Sequence, residues 1–371
     1  MTRLTSEEEW MKRIALKMVP LVGDVSAKNL ISYCGSAIAV FKEKKARLLK
    51  IPSIGEAIAS SVINFKNFER AERELKFISK HKIETCFYAD ENYPKRLKQL
   101  IDAPFLLYYR GHANLNQEKI ISIVGTREAT EYGKNFCTRF LEELASHPIL
   151  VISGLAYGID IAAHRAALKN KLPTLGVLAH GLDHIYPAAH KNIAVKMIEN
   201  GGVISEYVSE TKPDREHFPE RNRIVAGMSD AIIVVEAALK GGALITAEYG
   251  NSYNRDVFAL PGRNNDAVSA GCNKLIKTHK ASLIESADDL IYMMGWEQKQ
   301  ISKKNKQAAL LLNLTPLESM IVEKLTTVER IHIDELHQAF EIPSSELALV
   351  LLNLEFSGII KSLPGNFFVR L

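Results

Sequence analysis

From Lys119 onward the chain alternates between short apolar runs and longer mixed stretches. IISIVG, ILVISG, TLGVLAH, GGVISEY, AIIVVEA, DVFALPG and ASLIES are compact, apolar and rich in β-branched residues. Continuous apolar runs of this length predict strands buried on both faces. Helical stretches separate them, which is the rhythm of βαβ units. Residues 119–297 are therefore expected to form an extended doubly wound, Rossmann-like parallel sheet.

The first 80 residues follow a different pattern. VPLVGDVSAKNLI begins at Val19 and IPSIGEAIASSVI at Ile51, and Pro20/Pro52, Gly23/Gly55 and Ala27/Ala59 fall in register. An apolar residue, a turn glycine and an apolar-periodic helix predict a helix-hairpin-helix, SAM-like domain over 1–80. In such hairpins the glycine lets a backbone phosphate approach the following helix. Many carry a second glycine where Val25 and Ala57 stand here, so phosphate contact and a purely structural helical pair are both open readings. Residues 81–118 are expected to be a connector, with a tyrosine-rich piece ending in FLLYYRG. A polar linker over 298–312 leads to the last piece, 313–371. There three helical stretches precede IIKSLPGNFFVRL, two short strands around a Pro-Gly turn, and the outline is winged-helix-like.

A length of 371 residues fits two or three domains, and the 47% hydrophobic content fits a soluble globular protein. No apolar run is long enough for a membrane helix. The start, MTRLTSEEEWMKR, is acidic where a signal peptide is apolar, so a cytoplasmic location is expected. Cys34, Cys86, Cys137 and Cys272 have no CxxC pairing and read as reduced, mostly buried thiols. The net charge of +4 is unevenly distributed: residues 1–80 carry fifteen Lys/Arg against nine Asp/Glu, and residues 313–371 four against eight. A basic head and an acidic tail suggest modules with different partners.

In a doubly wound sheet, ligands bind beyond the carboxyl ends of the strands. Those ends carry Gly125-Thr126-Arg127, Ser153-Gly154, His180-Gly181, Glu206, Glu236, Gly241-Gly242 and Pro261-Gly262-Arg263. Small residues, helix N-termini and arginines together make an edge suited to phosphate. VGTREATEYG lacks the G-x-G-x-x-G spacing of a dinucleotide site, and no Walker A or G-x-S-x-G sequence occurs. His180, Asp183, His184 and His190 lack the helical spacing of a metal site and read as loop residues at the phosphate edge. No metal or cofactor is expected. One stretch, HFPERNRIVAG, stands out because Arg221, Asn222 and Arg223 open the helix that feeds a buried strand. Arginine is costly there unless something anionic meets it.

VGTR, SGLAYGID, HGLDHIYP, ISEY, FPERNRIVAG, VVEA, GGALITAE, LPGR and GCNKLI, in this order and spacing, resemble the core of the DNA-processing protein A (DprA, or Smf) family. Its members commonly have arginine where Tyr157 stands and serine where Gly241 stands. The resemblance implies a dimeric cytoplasmic protein that binds single-stranded DNA without catalysing a reaction on it. Such a protein protects incoming strands in natural transformation and helps load the RecA recombinase. On this reading Arg221 and Arg223 face the DNA backbone, Asn222 ties the helix start to it, Phe218 stacks on a base and Arg127 closes the pocket. The alternative is that the two arginines form internal salt bridges with Glu206 and Glu236, Arg223 being the more structural of the two. The full set expected to bind DNA is Gly125, Thr126, Arg127, Ser153, Gly154, Phe218, Arg221, Asn222, Arg223, Gly241, Gly242, Arg263 and Lys274. The apolar segment CNKLIKTHKASLI is a candidate dimer surface.

A competing reading is a phosphoribohydrolase acting on a nucleoside monophosphate, which shares the sheet architecture. Its phosphate loop is P-G-G-x-G-T-x-x-E. Here KGGALITAE keeps Gly241, Gly242 and Glu248 but has Leu244 and Ile245 in place of Gly-Thr. Those side chains block backbone approach and remove a hydroxyl donor.

Overall fold

A computed structural model describes residues 6–296 and 314–370, except 327, 329, 341, 364 and 365. The expected linker, 298–312, and the Pro-Gly turn of the tail lie outside the described residues. Packing divides the chain into two units, Met1–Gly295 and Trp296–Leu371.

The first unit opens with six helices: α1 (Glu7–Lys17), α2 (Asp24–Cys34), α3 (Ala37–Lys42), α4 (Lys45–Leu48), α5 (Glu56–Asn64) and α6 (Phe68–Lys80). Ser6 caps α1 by accepting from the Glu9 amide at 3.2 Å, and three glutamates occupy its first turn, where the helix dipole favours them. The sequence repeat is also a backbone repeat. Leu21 and Ser53, 32 residues apart, both adopt left-handed φ values of 69° and 65°, and Gly23 and Gly55 then precede α2 and α5 with matching extended backbones. Val22 and Ile54, Ala27 and Ala59, and Leu30 and Val62 are buried in register.

Next come β1 (Glu84–Phe87), α7 (Lys95–Lys98) and β2 (Leu106–Gly111), then the alternating core. Its elements are β3 (Lys119–Val124), α8 (Glu131–Glu143), β4 (Ile149–Ser153), α9 (Ile159–Lys169), β5 (Thr174–Leu178), α10 (Lys191–Glu199), β6 (Gly201–Ser205), α11 (His217–Met228), β7 (Ala231–Val234), α12 (Gly242–Ser252), β8 (Asp256–Ala259), α13 (Ala270–Lys277), β9 (Ser282–Leu283) and α14 (Ala287–Met293). Among the described residues nine strands form one sheet in the order β1-β2-β6-β5-β4-β3-β7-β8-β9. From β6 to β9 every pairing is parallel. The expected connector, 81–118, adds two antiparallel strands at one edge. Its Leu106–Tyr109 run is buried on both faces like the core strands, but it pairs antiparallel and stands outside the βαβ rhythm that marked them. The head helices share one apolar core with Phe87, Phe105, Leu106 and Tyr108 and pack on this edge rather than standing apart.

The chain runs outward from β3 through β6, then crosses back to place β7 on the other side of β3. This reversal sends α8, α9 and α10 to one face, where they pack side by side, and α11 and α12 to the other. The loops after β3 and β7 therefore diverge and leave a crevice between them.

In the second unit, α15 (Pro316–Thr326), β10 (Ile331–His332), α16 (Ile333–Phe340), α17 (Ser344–Phe356), β11 (Ile360–Leu363) and β12 (Phe367–Arg370) follow in order. The strands pair as β10-β12-β11 around a core of Ile321, Leu325, Leu336, Leu347, Leu351, Leu354 and Ile360. This is the expected winged helix. Among the described residues no helix is long and apolar enough to cross a membrane.

Candidate nucleic-acid interface

The crevice at the β3/β7 reversal is a groove of about 850 Å³. Its position is fixed by the loop that leaves β3. The Thr126 amide donates to the Glu236 carbonyl at 2.7 Å, and the Glu236 carboxylate accepts from the Thr130 amide at 3.0 Å and from its hydroxyl. The loop is thus strapped to the end of β7, and Arg127 projects from it exposed.

Gly125, Thr126, Arg127, Gly154, Phe218, Arg221, Asn222, Gly241 and Gly242 all line this groove. The glycines divide into two kinds. A Cβ on Gly125 would meet the Ile159 side chain at 2.4 Å, and one on Gly154 would meet both the Arg221 guanidinium and the Asp160 carboxylate at 2.5 Å. These two are small because the protein fills the space behind them. Gly241 has nothing within 4 Å of such a Cβ, and Gly242 has only the Asn222 amide at 3.6 Å. Free approach to backbone exists at these last two, where α12 begins.

The arginines of HFPERNRIVAG depart from expectation. Arg221 is 4% exposed and lies in the floor of the groove. It donates to the Gly154 carbonyl at 2.7 Å and to the Val177 carbonyl. Burial raises the Asp160 carboxyl on the other side of Gly154, an effect that Arg221 partly offsets. Arg221 therefore braces the ends of β4 and β5 instead of projecting toward a ligand. Arg223 faces away from the groove. It pairs with Glu206 at 2.7 Å and Asp24 at 3.0 Å and donates to the Asp102 carbonyl at 2.6 Å. The salt bridge to Glu206 anticipated as the alternative is present, whereas Glu236 serves Thr130. Asn222 donates to the Gly242 carbonyl at 3.2 Å and joins α11 to the loop after β7.

Three other expected residues lie outside the groove lining. Ser153 is fully buried and donates to the Ile123 carbonyl at 2.6 Å, since it is the last residue of β4 and still paired within the sheet. Arg263 and Lys274 are exposed elsewhere. The Pro-Gly-Arg turn is folded back on α13, with the Asn273 side chain bonded to both the amide and the carbonyl of Gly262.

The structure adds residues that the sequence reading missed. Arg215 and Lys240, both exposed, join Arg127 on the groove wall. Among the described residues none of the three has an ion-pair partner, and Asp160 is the one carboxylate lining the groove. Lys240 is adjacent to the open glycines and Arg215 precedes Phe218 by three positions; that proximity to recognised motifs was the available signal. Phe218 is half-buried with the Arg127 guanidinium 5.1 Å from its ring centre and Tyr186 at 6.2 Å. Tyr157 and Tyr186 are each about half exposed. The groove thus offers unpaired positive charge, open backbone and aromatic faces, which together suit a flexible polyanion that carries planar rings.

The buried thiols of Cys86, Cys137 and Cys272 are pushed up to about 12 by burial, and all four cysteines are free. Among the described residues no group of His, Cys, Asp and Glu is arranged to hold a metal ion.

Residues 84–295 match the family model of DNA recombination-mediator protein A, and residues 305–366 match that of the DprA winged helix domain. The DNA processing protein DprA of Streptococcus pneumoniae is 40% identical over 202 residues, covering 54% of this chain and 71% of that protein. An X-ray structure of DprA from Streptococcus pneumoniae superposes with a TM-score of 0.67 and 29% identity, covering 78% of this chain and 98% of that one. A structure of DNA processing protein A from Helicobacter pylori, described for its single-stranded DNA binding mode, superposes with a TM-score of 0.53 and 31% identity, covering 59% and 98%.

Proposed function

Since this chain belongs to the DNA recombination-mediator protein A (DprA/Smf) family, we propose that it binds single-stranded DNA in the groove at the β3/β7 reversal. The observation that carries this reading is the set of three exposed cations, Arg127, Arg215 and Lys240, unpaired beside the Phe218 and Tyr186 rings. Phosphates meet the cations and the open glycines, and bases stack on the aromatics. The Helicobacter pylori relative, whose printed description is a single-stranded DNA binding mode, supports the same ligand.

We further infer that the protein acts in the cytoplasm as a non-catalytic homodimer that protects incoming strands during natural transformation and helps load RecA. The support for this is the family. A dimer surface fits the segment from Cys272 to Ile284, which ends at the edge strand β9 with Leu283 exposed. The hydrolase reading is disfavoured by Glu248. It is exposed and not among the groove-lining residues, and Ile245 lines the groove where a Gly-Thr loop would need to bend. Incubation with AMP is expected to release no adenine.

The test is a fluorescence anisotropy titration of equal-length single-stranded and duplex oligonucleotides across a salt series. Single strands should bind at least tenfold more tightly at about 0.15 M salt, because a duplex keeps its bases from Phe218. Equal affinities would overturn the placement of DNA in this groove.

A further inference from the structure

The loop between β6 and α11 brings Arg215 to the groove wall, and its first half is held by the head. Glu74, on α6, is 2% exposed. Its carboxylate accepts from the Ser209 amide at 2.9 Å, from the Ser209 hydroxyl and from the Arg70 guanidinium at 2.9 Å. Arg70 in turn donates to the Ser209 carbonyl and lies 3.5 Å from the Glu210 carboxylate. The amide, hydroxyl and carbonyl of Ser209, 135 positions further along the chain, are thus all bound by one buried ion pair of the head. The hold extends to a second loop. The Glu210 amide donates to the Asp183 carboxylate at 3.0 Å, and the Gly181 amide donates to the Thr211 carbonyl at 3.2 Å. Gly181 is needed at this crossing, because a Cβ there would meet the Val208 carbonyl oxygen at 2.4 Å. The loop after β5, which carries Tyr186 to the groove, is therefore tied to the same anchor.

A buried ion pair is often no gain in stability over apolar packing, and Val208 and Leu182 already pack on the apolar core of the head. What the pair adds is a single geometry for Ser209. The other two groove cations have a separate support: Arg127 and Lys240 stand on the loops after β3 and β7, which are joined through Glu236. We propose that Glu74 is a positioning residue for DNA binding. Through Ser209 it fixes the loop that carries Arg215, so that the head helices set where one of the three groove cations meets a phosphate. The proposal rests on the groove binding single-stranded DNA and on Arg215 contacting its backbone.

The experiment measures the affinity of the full chain for oligothymidine across a salt series, in Glu74→Ala, Arg215→Ala, Lys240→Ala and the two doubles with Glu74→Ala. Glu74→Ala should weaken binding about threefold to tenfold and lower the slope of log affinity against log salt by up to about one, as Arg215→Ala does. The double with Arg215→Ala should bind within about twofold of Arg215→Ala alone, because a loop without its cation has nothing left to misplace. The losses from Glu74→Ala and Lys240→Ala should add. A carboxylate that served stability alone would leave the slope of the folded chain unmoved. Ser209→Ala, which removes one hydroxyl and leaves the ion pair in place, should weaken binding about threefold with the same lack of additivity, and it takes the place of Glu74→Ala if that variant does not fold. A parental slope in the folded variant, or a loss that adds fully to that of Arg215→Ala, would overturn the proposal. An unchanged slope in Arg215→Ala would instead remove the phosphate contact beneath it, and failure of the wild-type chain to bind oligothymidine would overturn the single-strand reading itself.

Discussion

Helix α11 serves two regions that look alike in composition and differ in what is left unsatisfied. On one side it contributes Phe218 to the groove, where Arg127, Arg215 and Lys240 stand exposed without ion-pair partners among the described residues. On the other it sends Arg223 into the seam between head and sheet. There Lys17 bonds Asp24 at 2.9 Å and Glu206 at 3.1 Å, and Arg223 bonds the same two carboxylates. Asp24 also accepts from the Phe105 amide at 3.0 Å. Both regions are rich in cations. The seam matches each cation to a carboxylate and has little left to give a ligand, whereas the groove withholds carboxylates. Positive charge alone did not distinguish them; free valence does.

The sharpest way to test this contrast is to break the seam. Asp24→Ala or Arg223→Ala unbalances this cluster of two cations and two carboxylates and leaves one buried charge in excess, which costs up to about 3–5 kcal/mol. Denaturant unfolding should show that loss, while the folded fraction binds single strands with unchanged affinity. A binding defect without a stability defect would dissolve the distinction. The seam also predicts a pH dependence. Burial alone would raise the Asp24 carboxyl, but Lys17 and Arg223 outweigh it and hold the group below its ordinary value. Its contribution is therefore present above the unfolded carboxylate range, near about pH 4, and is lost as pH falls through the folded value. Asp24→Asn should flatten that part of the acid stability curve.

The groove should respond in the opposite way, through binding and not stability. Phe218→Ala removes a stacking face and should weaken single-strand binding by about 1–3 kcal/mol with no change in salt slope, because stacking releases no counterions. Arg127→Ala, Arg215→Ala and Lys240→Ala should each weaken binding less and lower the slope of log affinity against log salt by about one. If the slope is unmoved in all three, the phosphates lie elsewhere.

The alternation of apolar runs made the parallel sheet legible, and the turn residues at strand ends located its working edge. β2, a run buried on both faces like the core strands, was hidden because it stands outside the βαβ rhythm, and β1 is a four-residue strand that buries only Cys86 and Phe87. The pairing of Gly125 with Ile159, and of Gly154 with Arg221, was hidden for another reason. A glycine that admits a ligand and a glycine that admits the protein's own side chain read identically in sequence. Arg221 and Arg223 were recognisable as residues requiring negative or carbonyl partners. Which partners they met depended on the rotation of α11 on the sheet, and the sequence carries no local mark of that. The head hairpins, open as phosphate sites on sequence, carry Asp24 and Glu56 immediately after their glycines, and those acids are paired with Lys17 and Lys45. A carboxylate at that position competes with phosphate for the helix N-terminus.

The smallest effect is expected in the winged helix, where fold analogy and chemistry point apart. The third helix of such a module commonly enters a DNA groove. Here that helix is α17, and it contains no lysine or arginine. It buries Leu347, Leu351 and Leu354 and exposes Leu349, Leu352 and Phe356, the last at 83%. Glu355 accepts from the Ser362 amide and hydroxyl at 2.9 and 2.6 Å, which secures a negative charge beside the hairpin. Of the hairpin cations, Arg370 donates to the Thr326 hydroxyl at 2.5 Å, leaving Lys361 exposed. An apolar, acidic face offers phosphate nothing and guanine no bidentate donor. A chain ending at Lys306 should therefore keep its affinity for single-stranded DNA within about threefold, well below the tenfold that 1.4 kcal/mol represents. If that shortened chain folds by circular dichroism yet loses binding by more than tenfold, the winged helix contributes DNA contacts despite its charge, and the groove is only part of the interface.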